Sequence, residues 1–313
     1  MSDLSEYKSF VRNNLPAGMT IADQYFFVND NRFTNYVKAE WYLKYLTKFG
    51  FSAGSLLAYA ANSITPQLVA DFKEGVYGKN SGLSTFDNVL NHTRNGNATM
   101  VDADGLLKWA PHNIILQSNA FLIEDWSGFN FLRSDNGNGS WTINNNDSPV
   151  RFMSPVAITA SGDSLVFGIE AKPKSQSWIS IRTTGFARDD FHWFDISNGA
   201  VGGQGFYPQT ITPTSDGFYL CTVEIDTSVD KSGAPRIQIG SDDETVAIGT
   251  LIVRKARGYH SDLGGMVNNP ATGDSYVPTT DAARYLPREN HHVYNGSAWV
   301  KEGYLHEPEA ATN

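Results

Sequence analysis

The stretch Gly162-Asp-Ser-Leu-Val-Phe-Gly-Ile-Glu-Ala-Lys-Pro173 predicts the fold of the chain around it. Within it, Leu165, Phe167 and Ile169 recur at every second position. A period of two is typical of a β-strand that buries one of its faces. The stretch therefore predicts a strand in a sheet with one buried side.

Four runs further along the chain repeat this alternation: Ser177 to Arg182, Phe191 to Ile196, Phe218 to Ile225 and Gly249 to Arg254. Turn-forming residues such as Asn198-Gly199 separate the runs, and no helical pattern lies between them. Short strands at this spacing predict an antiparallel two-sheet sandwich. We expect one core to bury Phe167, Ile169, Ile179, Ile181, Phe194, Tyr219, Val223, Leu251 and Val253.

Composition argues against several classes of partner and site. The chain has 313 residues and a formal net charge of −9, which argues against nucleic acid or an anionic membrane surface as the main partner. No apolar stretch is long enough to span a membrane, and Met1 to Lys8 lacks the pattern of a signal peptide. The single cysteine, Cys221, falls on the inward side of a predicted strand, so we expect a reduced core thiol and no disulfide within the chain.

The first quarter of the chain, Met1 to Gly78, has helical rather than strand periodicity. One helix is predicted over Asn35 to Phe49, and another begins at the Thr-Pro pair of residues 65 and 66 and ends at Gly75. The aromatic stripe of the first helix is large for so small a unit, so this part either packs on the sandwich or docks on another protein. The residues predicted to bind a partner are Trp41, Tyr42, Tyr45 and Phe49.

Two further segments flank the sandwich, which is predicted over residues 141–280. Residues 79–140 are polar and rich in Gly and Asn, which indicates a small β-rich connecting unit with tight turns. Within it, Asp102 to Gly105 has the two aspartates and the glycine of a calcium loop. No glutamate follows at the distance that an EF-hand needs, so a β-turn is favoured there. Residues 281–313 are predicted to form a C-terminal β extension.

From Thr93 onwards, several segments occur in an order that resembles tail-fibre and other minor structural proteins of tailed bacteriophages. Thr93 to Lys108 is similar to their T-R-x-x-x-A-T-x-V-D-A-D-G-L element, and Asn113 to Phe121 is similar to their N-x-x-x-x-S-N-x-F element. Ser275 to Thr280 matches the S-Y-x-P-T-T that closes their carbohydrate-binding-module-like domain. Gly303 to Asn313 is similar to their G-L-L-x-E-x-x-x-T-N tag, which in such proteins usually leads into a further module.

The resemblance implies a mainly β protein with an antiparallel jelly-roll-like β-sandwich, preceded here by the small helical N-terminal unit. It implies a non-enzymatic virion protein assembled in the host cytoplasm: a tail-fibre or fibre-base component that acts in particle assembly or host attachment. Other virion proteins would bind the N-terminal unit. Fibres of this kind usually self-associate as trimers, although no heptad run sets a copy number here. The alternative is a carbohydrate-binding adhesin that contacts host surface glycan through the sandwich.

Strand alternation places several aromatic and charged residues on the outward side of the sandwich. Trp178 and Trp193 offer flat apolar faces on which a sugar ring can stack, and Arg182 and Glu224 offer groups that hydrogen-bond to its hydroxyls. These four residues are the predicted glycan-binding site. The same residues would alternatively pack against a neighbouring chain or against the helical unit.

Catalytic, metal-binding and cofactor-binding patterns are weak in this sequence. Glu170 with Glu224 or Asp195 has the composition of a glycosidase pair, but carboxylates on adjacent strands are common on solvated sheet faces. The 7 histidines lack ligand spacing, and the Gly-rich segment Gly202 to Gly205 does not open a helix as a phosphate-binding loop does. We therefore predict no enzyme activity, no catalytic residues, no metal and no cofactor.

Overall fold

A computed structural model describes residues 68–71, 76–79, 82–84, 89, 92, 94, 96–121, 126–128, 132–145, 153–160, 162–203 and 205–305. The helix predicted over Asn35 to Phe49 lies outside the described residues, and so do the partner-binding residues predicted on it, Trp41, Tyr42, Tyr45 and Phe49. The chain divides into two compact units, one made of Met1–His92 with Glu289–Asn313 and the other of Thr93–Arg288. Where it is described, the chain is mainly β with antiparallel sheets.

Three short strands of the first unit form an antiparallel sheet: β1 (Leu68–Asp71), β2 (Val76–Lys79) and β3 (Gly82–Ser84). The helix predicted from residue 65 to residue 75 is therefore wrong for residues 68–71. Periodicity alone cannot separate a helix from a strand in so short an apolar run. Here β2 follows closely and pairs Lys79 with Leu68, so a neighbouring strand satisfies the main chain.

The unit Thr93–Arg288 begins with three short strands: β4 (Thr99–Val101), β5 (Leu107–Trp109) and β6 (His112–Asn113). The β-turn predicted between β4 and β5 is confirmed, because the N–H of Gly105 donates to the carbonyl oxygen of Asp102 at 3.1 Å. The Asp102 carboxylate accepts the N–H of Leu106 at 2.9 Å and pairs with Nζ of Lys108 at 2.8 Å. The Asp102 carboxylate therefore stabilises the turn and the strand that follows it.

The remaining strands of this unit build two six-stranded sheets and several short ladders. In chain order they are β7 (Trp126–Gly128), β8 (Leu132–Asp135), β9 (Trp141–Asn144), β10 (Met153–Pro155), β11 (Ile158–Thr159), β12 (Ser164–Pro173), β13 (Trp178–Arg182), β14 (Phe191–Asp195), β15 (Ala200–Val201), β16 (Gln209–Pro213), β17 (Tyr219–Asp226), β18 (Ser232–Gly233), β19 (Arg236–Gly240), β20 (Thr250–His260) and β21 (Arg284–Tyr285). The first sheet has the order β15-β14-β13-β19-β10-β7, and the second sheet has the order β16-β17-β12-β20-β9-β8. β11 pairs with β18, and β21 pairs with β6.

Both six-stranded sheets contribute to one hydrophobic core, as the alternation predicted. β12 supplies Phe167 and Ile169 from the second sheet, and β13 supplies Ile179 and Ile181 from the first. The predicted core is confirmed, with Tyr219 packed at its margin as a partly buried residue. The core also takes residues that precede Trp141: Ile115, Phe121 and Trp126.

The last described strands, β22 (His291–Tyr294) and β23 (Trp299–Gly303), form a hairpin in the unit that contains the chain termini. Tyr294 and Trp299 lie opposite one another on it, with 5.5 Å between their ring centroids. Both rings are exposed. The hairpin lies within residues 281–313, where the β extension was predicted.

Two further expectations concern Cys221 and membranes. The Cys221 side chain is fully buried, and burial raises the pKa of its thiol well above the usual value. It is therefore an inert core residue rather than a reactive thiolate. Within the part of the chain that the structure describes, no helix has the length and apolarity needed to cross a membrane.

Candidate functional site

The outer face of the first sheet carries three of the four residues predicted to bind glycan. In β13 the core takes Ile179 and Ile181, so the residues between and beside them point outwards. The registers of β13 with β14 and with β19 place the outward residues of these strands on the same side. We call this surface the tryptophan face, and its residues are Trp178, Ser180, Arg182, Phe191, Trp193, Asp195, Arg236 and Gln238.

Trp178 and Trp193 lie side by side, and two glycines leave room for their rings. A Cβ on Gly240 would clash with Cζ3 of Trp193 and would stand 3.3 Å from Cβ of Trp178. A Cβ on Gly202 would stand 2.7 Å from Cβ of Trp193 and 2.8 Å from Cζ3 of Trp178. The Trp193 ring also stacks on Phe191, with 5.5 Å between centroids and 7° between planes. Because Gly240 lies on β19 and Trp193 on β14, the indole of Trp193 lies across β13.

Trp193 is only 7% exposed, although a sugar platform needs an open ring. The turn after β19 reaches this end of the face, since a Cβ on Gly202 would stand 2.8 Å from Oε1 of Glu244 and 2.7 Å from Cβ of Trp193. Oε1 of Glu244, in that turn, accepts a hydrogen bond at 2.5 Å from the N–H of Gly203, which follows β15. Because β13 and β14 lie between β19 and β15, this bond spans the two strands that carry the tryptophans. The two rings are therefore adjacent, but Trp193 is buried where a sugar platform needs an open ring.

Arg182 is held at the edge of the tryptophan face from two sides. Its guanidinium donates to both carboxylate oxygens of Asp189, at 2.7 Å from Nε and 3.1 Å from Nη2. It also lies over the ring of Phe191, 4.8 Å from the centroid. A two-point pair with a carboxylate fixes the plane of the guanidinium. Arg182 remains partly exposed, so its free N–H groups can donate to a ligand on this face.

Glu224 lies elsewhere, because β17 belongs to the second sheet while the other three predicted residues lie in the first. Its Oε1 accepts hydrogen bonds from the hydroxyls of Ser164 at 3.0 Å and Ser261 at 2.7 Å. Alternation along a strand indicates on which side of its sheet a residue lies, but not which sheet the strand joins. The structure therefore brings together three members of the predicted set and separates the fourth.

Sequence reasoning missed two polar residues of the tryptophan face as members of the site. Ser180 is fully buried and Gln238 is 5% exposed, and they lie directly opposite one another on β13 and β19. Ser180 Oγ and Gln238 Oε1 are both buried without a hydrogen-bond partner. Buried polar atoms are nearly always paired, so such a pair needs an explanation. The outward position of Ser180 could be read from the alternation, but a missing partner is a property of the folded chain.

A buried ion-pair cluster around Glu170 occupies the outer face of the second sheet. Oε2 of Glu170 accepts from Nε of Arg254 and Oε1 accepts from Nη2 of Arg257, both at 2.7 Å. Nζ of Lys255 lies 3.6 Å from Oε1. A register shift between β12 and β20 at this point, with Lys255 at φ 50, lets three cations of one strand reach a single carboxylate. The cluster ties the two central strands of the sheet together.

The carboxylates weighed as a glycosidase pair are not assembled as one. Glu170 is used in ion pairs on the second sheet, and Asp195 lies on the first. Burial acts to raise the pKa of Asp195, but hydrogen bonds from Ser197 and Asn198 outweigh it and lower that pKa below its usual value. Asp195 is therefore arranged as a hydrogen-bond acceptor in its turn. Among the described residues, no group of three or more His, Cys, Asp or Glu could hold a metal ion.

The two segments that resemble phage elements, N-x-x-x-x-S-N-x-F and S-Y-x-P-T-T, meet beside β20. Nδ2 of Asn113 donates to the carbonyl oxygen of Val277 at 2.8 Å, while its Oδ1 accepts from the N–H of Gly258, in β20, at 2.9 Å. Oγ of Ser118 accepts from the N–H of Thr279 at 2.9 Å. The four residues that make these bonds, Asn113, Ser118, Val277 and Thr279, are all buried. We call this set the β20 clamp, and it consists of Asn113, Ser118, Val277 and Thr279.

Comparison with known proteins adds little to this geometry. No protein-family model and no curated protein matches the chain. One solved structure that it resembles is the enzymatically active domain of tailspike protein 4 from bacteriophage CBA120, with 10% sequence identity and a TM-score of 0.27. The match covers 47% of this chain and 21% of the tailspike chain. A likeness at this score defines neither a shared fold nor a shared function.

The match nevertheless contradicts the prediction of no enzyme activity, because the matched tailspike domain is described as enzymatically active. That prediction is wrong on this finding, and we withdraw it. The likeness assigns no reaction and no catalytic residue to this chain in its place.

Proposed function

We propose that the chain is a virion component of a tailed bacteriophage, a tail-fibre or fibre-base protein that acts in particle assembly or host attachment. The observation that carries the proposal is the β20 clamp. Its two segments are about 160 residues apart in sequence, yet Asn113 and Ser118 bond directly to Val277 and Thr279. Because residues of the two motifs hydrogen-bond to one another, the motifs act together in the fold. This supports a relationship between the chain and the phage proteins that its sequence resembles.

The sandwich in this proposal is a jelly roll, as in the carbohydrate-binding-module-like domains of those proteins. Its support is a nested strand pairing: β9 with β20, β10 with β19, β12 with β17 and β13 with β14. Successive pairs fall alternately in the second and the first sheet. This is the pairing expected when one long hairpin is rolled into two sheets.

Phage particles made without this chain test the proposed function. If the chain acts in assembly, such particles should lack part of the tail in negative-stain images. If it acts in attachment, complete particles should fail to adsorb to host cells, and supplying the chain in trans should restore adsorption. Particles that are unchanged in both respects would contradict the proposal.

A second candidate function is contact with host surface glycan through the tryptophan face. The observation that favours it is the placement of Trp178 beside Trp193 with Arg182 at the edge, because rings stack on sugars and guanidinium groups donate to their oxygens. Each stacked aromatic contributes about 1 kcal/mol. A single copy would therefore bind weakly, and useful adhesion would come from several copies on one particle.

An array of bacterial lipopolysaccharides and capsular polysaccharides tests this second function. We expect the wild-type chain to bind and Trp178→Ala to bind about fivefold more weakly per site, which corresponds to about 1 kcal/mol. Trp299→Ala is the matched control, since that exposed ring lies on the separate β22–β23 hairpin. Equal binding by both variants, or no binding by the wild type, would rule out glycan contact through this face.

A further inference from the structure

We propose that the turn from Ser241 to Thr245 is a movable cover of the tryptophan face, and that Ser180 and Gln238 beneath it are ligand-binding residues. The ligand is of the chemical class already proposed for this face, a ring bearing several hydroxyls. The inference rests on the proposed glycan contact, because it names the cover and the polar residues of that same site.

The turn is attached to the far side of the face through Glu244. Oε1 of Glu244 accepts the N–H of Gly203 at 2.5 Å in an exposed position. Gln209 braces the receiving loop from behind, with its Nε2 3.3 Å from the carbonyl oxygen of Gly202 and 3.4 Å from that of Gly203. Water can replace an exposed hydrogen bond at little net cost. The attachment is therefore specific in position but easily broken.

The turn holds its own shape independently of this attachment. The Asp243 carboxylate accepts from the hydroxyl of Ser241 and, at 2.6 Å, from that of Thr245. These hydrogen bonds lower the pKa of Asp243, so the carboxylate stays ionised and keeps accepting them near neutral pH. Strand pairing resumes directly at the base of the turn, where Gly240 bridges to Val246. Opening therefore begins with the release of Glu244 from Gly203, and the turn moves as one piece.

The closed arrangement leaves two polar atoms unsatisfied beneath the cover. Ser180 Oγ and Gln238 Oε1 are buried without a partner on β13 and β19, the strands over which the Trp193 ring extends. A buried polar atom without a hydrogen bond destabilises the state that buries it. When the turn and the Trp193 ring move aside, a ligand hydroxyl can donate to Gln238 Oε1 and another can pair with Ser180. Ligand binding is thereby coupled to opening.

Removal of the attachment tests the cover without any ligand. Glu244→Ala deletes the acceptor, Glu244→Gln keeps Oε1 in place, and Asp242→Ala removes a carboxylate from the same turn without touching the bond to Gly203. The readout is acrylamide quenching of tryptophan fluorescence, repeated in a Trp193→Phe background because the chain has 7 tryptophans. We expect Glu244→Ala alone to raise quenching, and the rise to disappear in the Trp193→Phe background. Equal quenching of all three variants would overturn the cover.

Binding to the polysaccharide array then tests the role of the buried pair. Glu244→Ala should bind more tightly than wild type, because a site that is already open spends no free energy on opening. Ser180→Ala with Gln238→Leu should bind more weakly while melting at the same temperature as wild type or higher, since it removes two unpaired polar groups. Unchanged binding by this double variant would overturn the role of the pair. If Glu244→Ala raises quenching and no chain binds the array, the cover stands and the glycan function fails.

Discussion

At the residue scale, the alternation of β12 predicted on which side of the sheet Glu170 lies, but it did not predict the surroundings of its side chain. Alternation put it on the outward side of β12, where a solvated carboxylate is the usual expectation. Its side chain is instead 1% exposed and held by Arg254 and Arg257. The cause is the register shift between β12 and β20 near Lys255, which cannot be predicted from strand periodicity. Pairing of Arg257 with Ser275, at 3.0 Å, then closes the cluster from the side of the C-terminal segment.

Replacement of Glu170 measures how much this cluster contributes to the free energy of unfolding. Glu170→Gln removes the closer counter-charge of Arg257, whose side chain is fully buried, and leaves it only Asp274, whose Oδ2 lies 3.9 Å from Nη1. Removing one partner of a buried pair costs about 3–5 kcal/mol, so the midpoint of urea unfolding should fall clearly. Glu224→Gln is the control, since Glu224 is exposed on the same sheet and should change the unfolding free energy by no more than about 0.5 kcal/mol. Equal small effects would show that the buried pair adds no stability.

At the scale of the element, the side chain of His112 holds the short strand β6 in place through hydrogen bonds and ring contacts. Nδ1 of His112 lies 2.8 Å from the carbonyl oxygen of Ala110, and Nε2 accepts the N–H of His260 at 3.0 Å. These partners fix a neutral imidazole that donates from Nδ1 and accepts at Nε2. The ring stacks on those of His260 and Tyr285, at 5.2 and 6.0 Å. Burial lowers the pKa of His112 from 6.5 to about 3.

This depressed pKa makes stability fall in mild acid. The unfolded chain takes up a proton on His112 near pH 6.5, whereas the folded chain does so only near pH 3. His112 therefore contributes full stability above pH 6.5, and this contribution is lost as the pH falls from 6.5 towards 3, by up to about 1.4 kcal/mol per pH unit. Unfolding free energies between pH 7 and pH 4 should show a shallower slope for His112→Gln. Identical slopes would contradict the assignment.

The strands with the longest alternation could be predicted from sequence, and the shortest could not. β12, β13, β14, β17 and β20 were anticipated because several apolar residues recur in each. β19 was not, because only Ile237 and Ile239 alternate in it between two turns. Alternation also predicted that Trp178, Arg182 and Trp193 share one face, but it could not predict that Glu224 lies in the other sheet. The cover by Glu244 and the unpaired atoms of Ser180 and Gln238 depend on contacts between distant segments.

At the scale of the molecule, the unit Thr93–Arg288 is larger than the sandwich predicted over residues 141–280. Ile115, Phe121 and Trp126 complete its core, and the β20 clamp joins its first and last segments. An isolated chain of residues 93–288 should therefore unfold in one cooperative step with a β spectrum. Residues 141–280 alone should fail to do so, because they lack two of the largest core side chains. Cooperative unfolding of the shorter chain would contradict this account.

An electron cryomicroscopy map of purified phage particles tests whether this chain is part of the tail. We expect density for two six-stranded sheets, with the strand orders given above, at the tail or at the base of its fibres. Peptides of the chain should appear in the same particles by mass spectrometry. Absence of the chain from purified particles, or its location in the head, would contradict the claim.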